Sequence, residues 1–422
     1  HPRAPPPRRR PLGRPGGPAG GGDAAAEMTK RKHEAPPVRK RPAGRRAPAR
    51  LTSKEVLLNP EGNGGSRVFV LYTGGTIGMQ IKEDGNTGLI PGALVNQLLQ
   101  LDELDSPKMP VCTFAEFQPL LDSSDMNPED WMRIAGVIED NYYDYTGFVV
   151  LHGTDTLAYT ASALGFMLEQ LNKPVIITGS QLSFAHPTSD ARQNFVGAVV
   201  FAGSGNFCEV CVCFGGSLFR GNRTNKCDSL ALRGFASPMY PALGELGSDT
   251  HIYRKRLREQ PRGRFQMQQI TATQIMVVWT IPGFSDAVFK PLLERDLMSD
   301  KIKGLVLLMY GCGNTAERKE SFLGALEKLV SNGVVVVACS QSLRGFVDFS
   351  KYEIGKWFLD IGVISAGDMT TEATITKLAY LLSKDLPQDQ VRRLMGEDLR
   401  GEMSADVTRF RLKDLVSGLT KC

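Results

Sequence analysis

Histidine is scarce in this chain: five in 422 residues, two of them, His1 and His33, in an amino-terminal tail. Histidine-based mechanisms are thereby confined to His152, His186 and His251. Also missing are a GxSxG elbow, an HExxH pair and a Walker lysine loop, and the glycines at 74, 75 and 78 do not fit GxGxxG. Serine-hydrolase and nucleotide-binding readings thus lack their central motif. No apolar run approaches the ~20 residues needed to cross a bilayer, so no membrane partner is expected.

Residues 1–50 are dominated by Pro, Arg, Gly and Ala with almost no large apolar side chains, so nothing there offsets the entropy cost of folding, and disorder is expected. This tail holds 14 Lys or Arg against 3 Asp or Glu, whereas the remainder holds 36 against 42. Affinity for nucleic acid, if any, therefore belongs to the tail. Its clusters Lys30-Arg31-Lys32 and Arg39-Lys40-Arg41 fit a nuclear-import signal, an RNA-binding arm, part of a transit peptide or a plain solvated tail.

With no secretory segment in view, the eight cysteines are read as reduced. Cys208, Cys211 and Cys213 invite a zinc site, but Cys211 and Cys213 alternate in a strand-like run and no second CxxC or histidine cluster completes one. Buried strand cysteines and no metal are the expectation.

From Arg67 onward, short apolar runs end in Gly, Thr or Ser and give way to helical periods, the pattern of an α/β protein. Val68–Tyr72 runs into Thr73-Gly74-Gly75-Thr76, Phe148–Leu151 into His152-Gly153-Thr154-Asp155, and Val175–Thr178 into Gly179-Ser180-Gln181. After the second, Leu157, Ala161, Leu164, Leu168 and Leu171 predict a helix laying one face on a sheet, capped by Thr154 or Asp155. Strands apolar throughout are buried on both faces, and open parallel sheets bind ligands beyond their carboxyl ends, so these polar tips are expected to share one site. Polar residues 244–268 read as a linker. A second alternating unit starts near Ile275, with strands at Gly304–Tyr310 and Val334–Ala338 and helices at Ser321–Leu329 and Glu372–Leu382. The expected domains are 66–250 and 269–415, joined by 251–268.

The tips offer hydroxyls beside backbone amides and a carboxylate. An alcohol needs a base to become a nucleophile, and without histidine a lysine with lowered pKa is the natural substitute. Lys226 follows Arg220 and Arg223 closely enough to suggest cationic neighbours, although a loop lysine is more often a solvated charge.

The strings TGGTIGMQ (73–80), LLDSSDM (120–126), GFVVLHGTDTLAYTASALGFMLE (147–169), KPVIITGSQ (173–181) and LFRGNRTNK (218–226), with LRGEMS (399–404), closely resemble the cytosolic, type I L-asparaginases, in that family's order. The resemblance spans about 66–404. It implies two doubly wound domains, a larger flavodoxin-like parallel sheet and a smaller Rossmann-like one, in a cytoplasmic homodimer or homotetramer that uses no cofactor. It implies L-asparagine as substrate, with Thr76 as nucleophile and Thr154, Asp155 and Lys226 handling the proton. Asp155 would also pair with the substrate α-amino group. Ser123, within Asp122-Ser123-Ser124, would grip the α-carboxylate, and the amides of Gly75 and Thr154, beside Gly153, would form the oxyanion hole. The resemblance gives His152 no catalytic role, and it is read as a packed or hydrogen-bonded side chain.

Departures from the family are expected to matter. The loop Met79–Pro91 lacks the tyrosine that bacterial members place after the first threonine, and Leu89 stands there instead. Tyr352, supplied by a partner subunit as Asn314 would be, is the candidate substitute. At a second, activating site Thr178 matches, but Leu308 and Ser342 replace an arginine and a cysteine. A glutaminase, or a silent asparagine-binding or RNA-binding protein, are the competing functions.

Overall fold

A computed structural model describes residues 53–60, 62–81, 86–272, 274–289, 293, 302–316 and 319–404. The tail at 1–50 and the expected end of the second domain, 405–415, lie outside these residues.

The larger sheet has nine strands. Its centre is five parallel strands in the spatial order Pro110–Leu121, Asn63–Gly74, Gly147–Leu151, Val175–Thr178 and Val210–Phe214. Numbered along the chain these run 2-1-3-4-5, the flavodoxin-like order, whose direction reverses between the first and third strands. Each of the inner strands is buried on both faces, with alternate residues feeding opposite cores. Phe69, Leu71, Phe148 and Val150 pack with helices Pro128–Asp140 and Leu157–Met167, whereas Val68, Val70, Val149 and Leu151 pack with Ala93–Leu98 and Ala191–Gly203. Cys211 and Cys213 belong to this second core. Burial pushes the Cys213 thiol up to about 12, so it behaves as a small apolar side chain.

Three expectations need correction. The helix after the third strand ends at Met167, so Leu168 and Leu171 are not on it; Leu168–Glu169 instead pairs with Gln266–Met267. Nor does that helix bury a single face. Its second side packs on helix Thr371–Leu382, where Phe166 stacks on Tyr380 and Thr376 donates to Ser162 Oγ at 2.9 Å. The region 244–268 is partly sheet, because Gly244–Glu245 and His251–Ile252 form the antiparallel far edge of the nine strands. Polar edge strands carry no apolar pattern, which is why composition read them as linker.

The smaller sheet is parallel and sequential: Ile275–Trp279, Gly304–Met309, Val335–Ser340 and Ile364–Ser365. Its strand order never reverses, so it offers no crevice of the kind found in the larger sheet. Helices Glu320–Ser331 and Glu353–Ile361 cover one face, while Val306, Leu308, Val335 and Val337 on the other join the core of the larger sheet. Among the described residues no helix is long and apolar enough to cross a membrane.

Candidate active site

The first and third strands of the 2-1-3-4-5 sheet end side by side, and their glycines let the following loops touch. Gly75 sits at φ 94°, a left-handed conformation natural to glycine, and a Cβ there would lie 2.3 Å from Gly153 Cα. A Cβ on Gly153 would in turn lie 2.4 Å from Ser123 Oγ, on the loop leaving the second strand. Three loops carrying Thr76, Ser123 and Thr154 thus converge at the point where the strand order reverses.

Thr154 does not cap the helix. The cap position falls to Thr156, which makes no side-chain cap bond and donates instead to Ser123 O at 2.7 Å, tying two of the loops together. Thr154 and Asp155 are engaged by Lys226, whose ammonium donates to Thr154 Oγ1 at 2.9 Å and to Asp155 Oδ1 at 2.7 Å. Thr154 is buried and Asp155 faces solvent, so hydroxyl, ammonium and carboxylate form a line from interior to surface.

Arg220 and Arg223 do not crowd Lys226. Arg220 pairs with Glu209 at 2.5 Å and Arg223 with Asp368 at 2.8 Å, all four side chains buried. Both arginines also donate to Gly401 O, and Asn222 donates to Arg400 O. The turn before Lys226 is therefore bolted to the LRGEMS segment, and its arginines are anchors rather than electrostatic neighbours of the lysine.

His152 is fully buried and its hydrogen bonds define one tautomer. Its Nδ1 lies 2.7 Å from Gly153 O, which can only accept, so Nδ1 carries the proton; Nε2 then accepts from Thr160 Oγ1 at 2.9 Å, and Thr160 accepts from Trp131 Nε1 at 3.1 Å. Burial depresses its pKa to about 4 against smaller opposing effects of Gly153 and Asp130. It is a packed, neutral, hydrogen-bonded residue, as expected.

Asp122 accepts from the Ser124 amide at 2.9 Å and hydroxyl at 2.8 Å, closing a turn that leaves Ser123 buried against Gly153. Thr76 opens a short 3-10 turn and is half-buried. Leu89 pairs with Met79 in a small hairpin beyond it. The tyrosine under this turn is Tyr72, whose hydroxyl donates to Gly75 O at 3.4 Å and sits where a Cβ on Gly78 would be. Burial, and then Glu116, raise the Tyr72 pKa. Asn314 and Tyr352 are not brought here. Asn314 Oδ1 accepts from Thr315 N, and Tyr352 is 44% exposed at the start of helix Glu353–Ile361. Thr178 donates to Cys213 O and Leu308 is buried in the smaller sheet, so neither presents a free polar group to a second ligand.

Gln181 belongs to the third polar tip expected to share this site, but the family resemblance gives it no role. Its Oε1 accepts from Thr154 Oγ1 at 3.5 Å, and its Nε2 donates to Asp228 O and Ala231 O, both at 3.1 Å. The signal was its place at the third polar strand tip.

Residues 67–258 match the family model "Asparaginase, N-terminal", and residues 274–395 match "Glutaminase/Asparaginase C-terminal domain". The chain is 44% identical over 341 residues to L-asparaginase 1 of Escherichia coli K12, covering 80% of this chain and 98% of that one. It is 35% identical to the 60 kDa lysophospholipase of Mus musculus, covering 83% of this chain and 65% of that protein. The crystal structure of L-asparaginase I from Vibrio cholerae superimposes with a TM-score of 0.72 at 41% identity, covering 80% of this chain and 99% of the other. Crevice, loop chemistry and both matched segments lead to one conclusion: the chain belongs to the asparaginase family.

Proposed function

We propose that this protein hydrolyses the side-chain amide of L-asparagine to L-aspartate and ammonia. The observation that carries the reading is the Lys226–Thr154–Asp155 line set against the Gly75–Gly153 contact. In the proposed reaction Thr76 Oγ attacks the amide carbon, and its proton moves through the Thr154–Lys226 pair. The tetrahedral oxyanion accepts from the Gly75 and Thr154 amides, each worth ~3 kcal/mol of barrier. The C–N bond breaks, the nitrogen leaves as ammonia with the transferred proton, and an ester links aspartyl to Thr76. Water then attacks that ester, returning a proton to Thr76 and releasing L-aspartate. Ser123 and Asp155 hold the α-carboxylate and α-amino groups, with Asp122 and Ser124 fixing the Ser123 turn. A homodimer or homotetramer in which a neighbour adds Asn314 and Tyr352 completes the proposal.

The test is ammonia and aspartate release by the full chain with L-asparagine, with L-glutamine and a lysophospholipid in parallel. Equal release of ammonia and aspartate from asparagine supports the reading. Release from glutamine alone, or fatty acid from the lysophospholipid alone, would replace it. One methylene is worth about 1–3 kcal/mol, so weak glutamine turnover is compatible with it.

A further inference from the structure

A cavity of about 60 Å³ lies away from the crevice, between the larger sheet and the LRGEMS segment. Arg258, Arg400, Arg220 and Asn222 line it, with Glu209 and Glu259. Arg220 is already paired with Glu209, and that carboxylate also accepts from the Arg258 backbone amide at 2.7 Å. The Arg258 guanidinium has only a carbonyl, Leu399 O at 3.2 Å, and no carboxylate partner among the described residues. Burial, followed by the nearby charge of Arg400, lowers its pKa against the opposing charges of Glu209 and Asp398. Arg400 likewise spends one N–H on Leu399 O at 3.0 Å. Two guanidinium groups with donors to spare therefore share a small cavity, where an anion would gain charge-assisted hydrogen bonds from both.

A second, independent feature selects the anion. Asn222 is 3% exposed, its Nδ2 donates to Arg400 O, and its Oδ1 is a buried acceptor with no donor among the described residues. An oxyanion with no proton would meet that oxygen with another lone pair. One that keeps a hydroxyl can accept from the arginines and donate to Asn222. The exposed carboxylate of Glu259 also disfavours highly charged anions. We propose that this cavity is a binding site for a small protonated oxyanion of the hydrogen phosphate class, held by Arg258 and Arg400 and read by Asn222 Oδ1. Inorganic phosphate and a small phosphomonoester share this chemistry.

Isothermal titration and thermal unfolding of the full chain with inorganic phosphate test it, with sulfate and with sodium chloride at matched ionic strength. Saturable phosphate binding is expected, with a rise in Tm of about 2–4 °C at saturation. Sulfate, similar in shape but without a proton, should bind several-fold more weakly. Arg258→Gln and Arg400→Gln should each weaken phosphate by about tenfold or more. If loss of the Arg258 guanidinium makes its variant fold poorly, Arg400→Gln decides alone. Equal effects of phosphate, sulfate and chloride, or undiminished phosphate binding by Arg400→Gln, would overturn the proposal. A response to methyl phosphate matching that to inorganic phosphate would extend the ligand to monoesters; a response to inorganic phosphate alone would support the free ion.

Discussion

Lys226 bridges a buried hydroxyl and an exposed carboxylate, and each of the three side chains separately would be unremarkable on a protein surface. Replacing Lys226 with Met keeps the stem and removes the donor. We expect kcat to fall by roughly 10³-fold or more while far-UV circular dichroism stays unaltered, as for groups that act as a unit. His152 makes a different prediction, through stability. Its folded pKa of about 4 lies below the unfolded 6.5, so the unfolded chain binds the extra proton between those values. The contribution is full above about pH 6.5 and is lost as pH falls toward 4, amounting to about 3 kcal/mol. Urea unfolding between pH 8 and 4 should show a shallower loss in His152→Gln; an unchanged profile would remove His152 from the account.

At the scale of elements, glycine contacts and buried ion pairs set the loops. Gly75→Ala would place a methyl group 2.3 Å from Gly153 Cα in a left-handed conformation, so we expect loss of turnover together with a fall in Tm. Lys377 on helix Thr371–Leu382 pairs with Glu402 at 2.6 Å, both wholly buried. Lys377→Met should destabilise by about 3–5 kcal/mol, measured by denaturant unfolding, because it leaves the Glu402 carboxylate buried without its cation. The inner strands were legible in the sequence because burial on both faces leaves an unbroken apolar run closed by polar tips. Thr154 and Asp155 were misread as caps because a helix start and a reactive tip favour the same residue types. Helices Glu353–Ile361 and Gln388–Met395 are short enough that no period stood out. Lys226 needed the family resemblance, since periodicity cannot tell an anchored loop lysine from a solvated one. Gln181 was within reach, at the third of three tips already assigned to one crevice.

For the whole molecule, the strand reversal of the larger sheet fixes where chemistry can sit, and the sequential smaller sheet buries one face against it. The alternation of apolar runs made both sheets legible; the order 2-1-3-4-5 was not, because spatial neighbours leave no mark on spacing. If a neighbouring subunit completes the site, specific activity should fall on dilution through the dissociation range, and Asn314→Ala should lower kcat/KM without lowering Tm. The most direct test of the central claim is ammonia release from L-asparagine by the full chain beside Thr76→Ala and Thr154→Ala, each checked for folding. The account predicts steady release by the unsubstituted protein and a loss of about 10³-fold or more in both variants. No release by the unsubstituted protein, or near-normal rates in the variants, would contradict it.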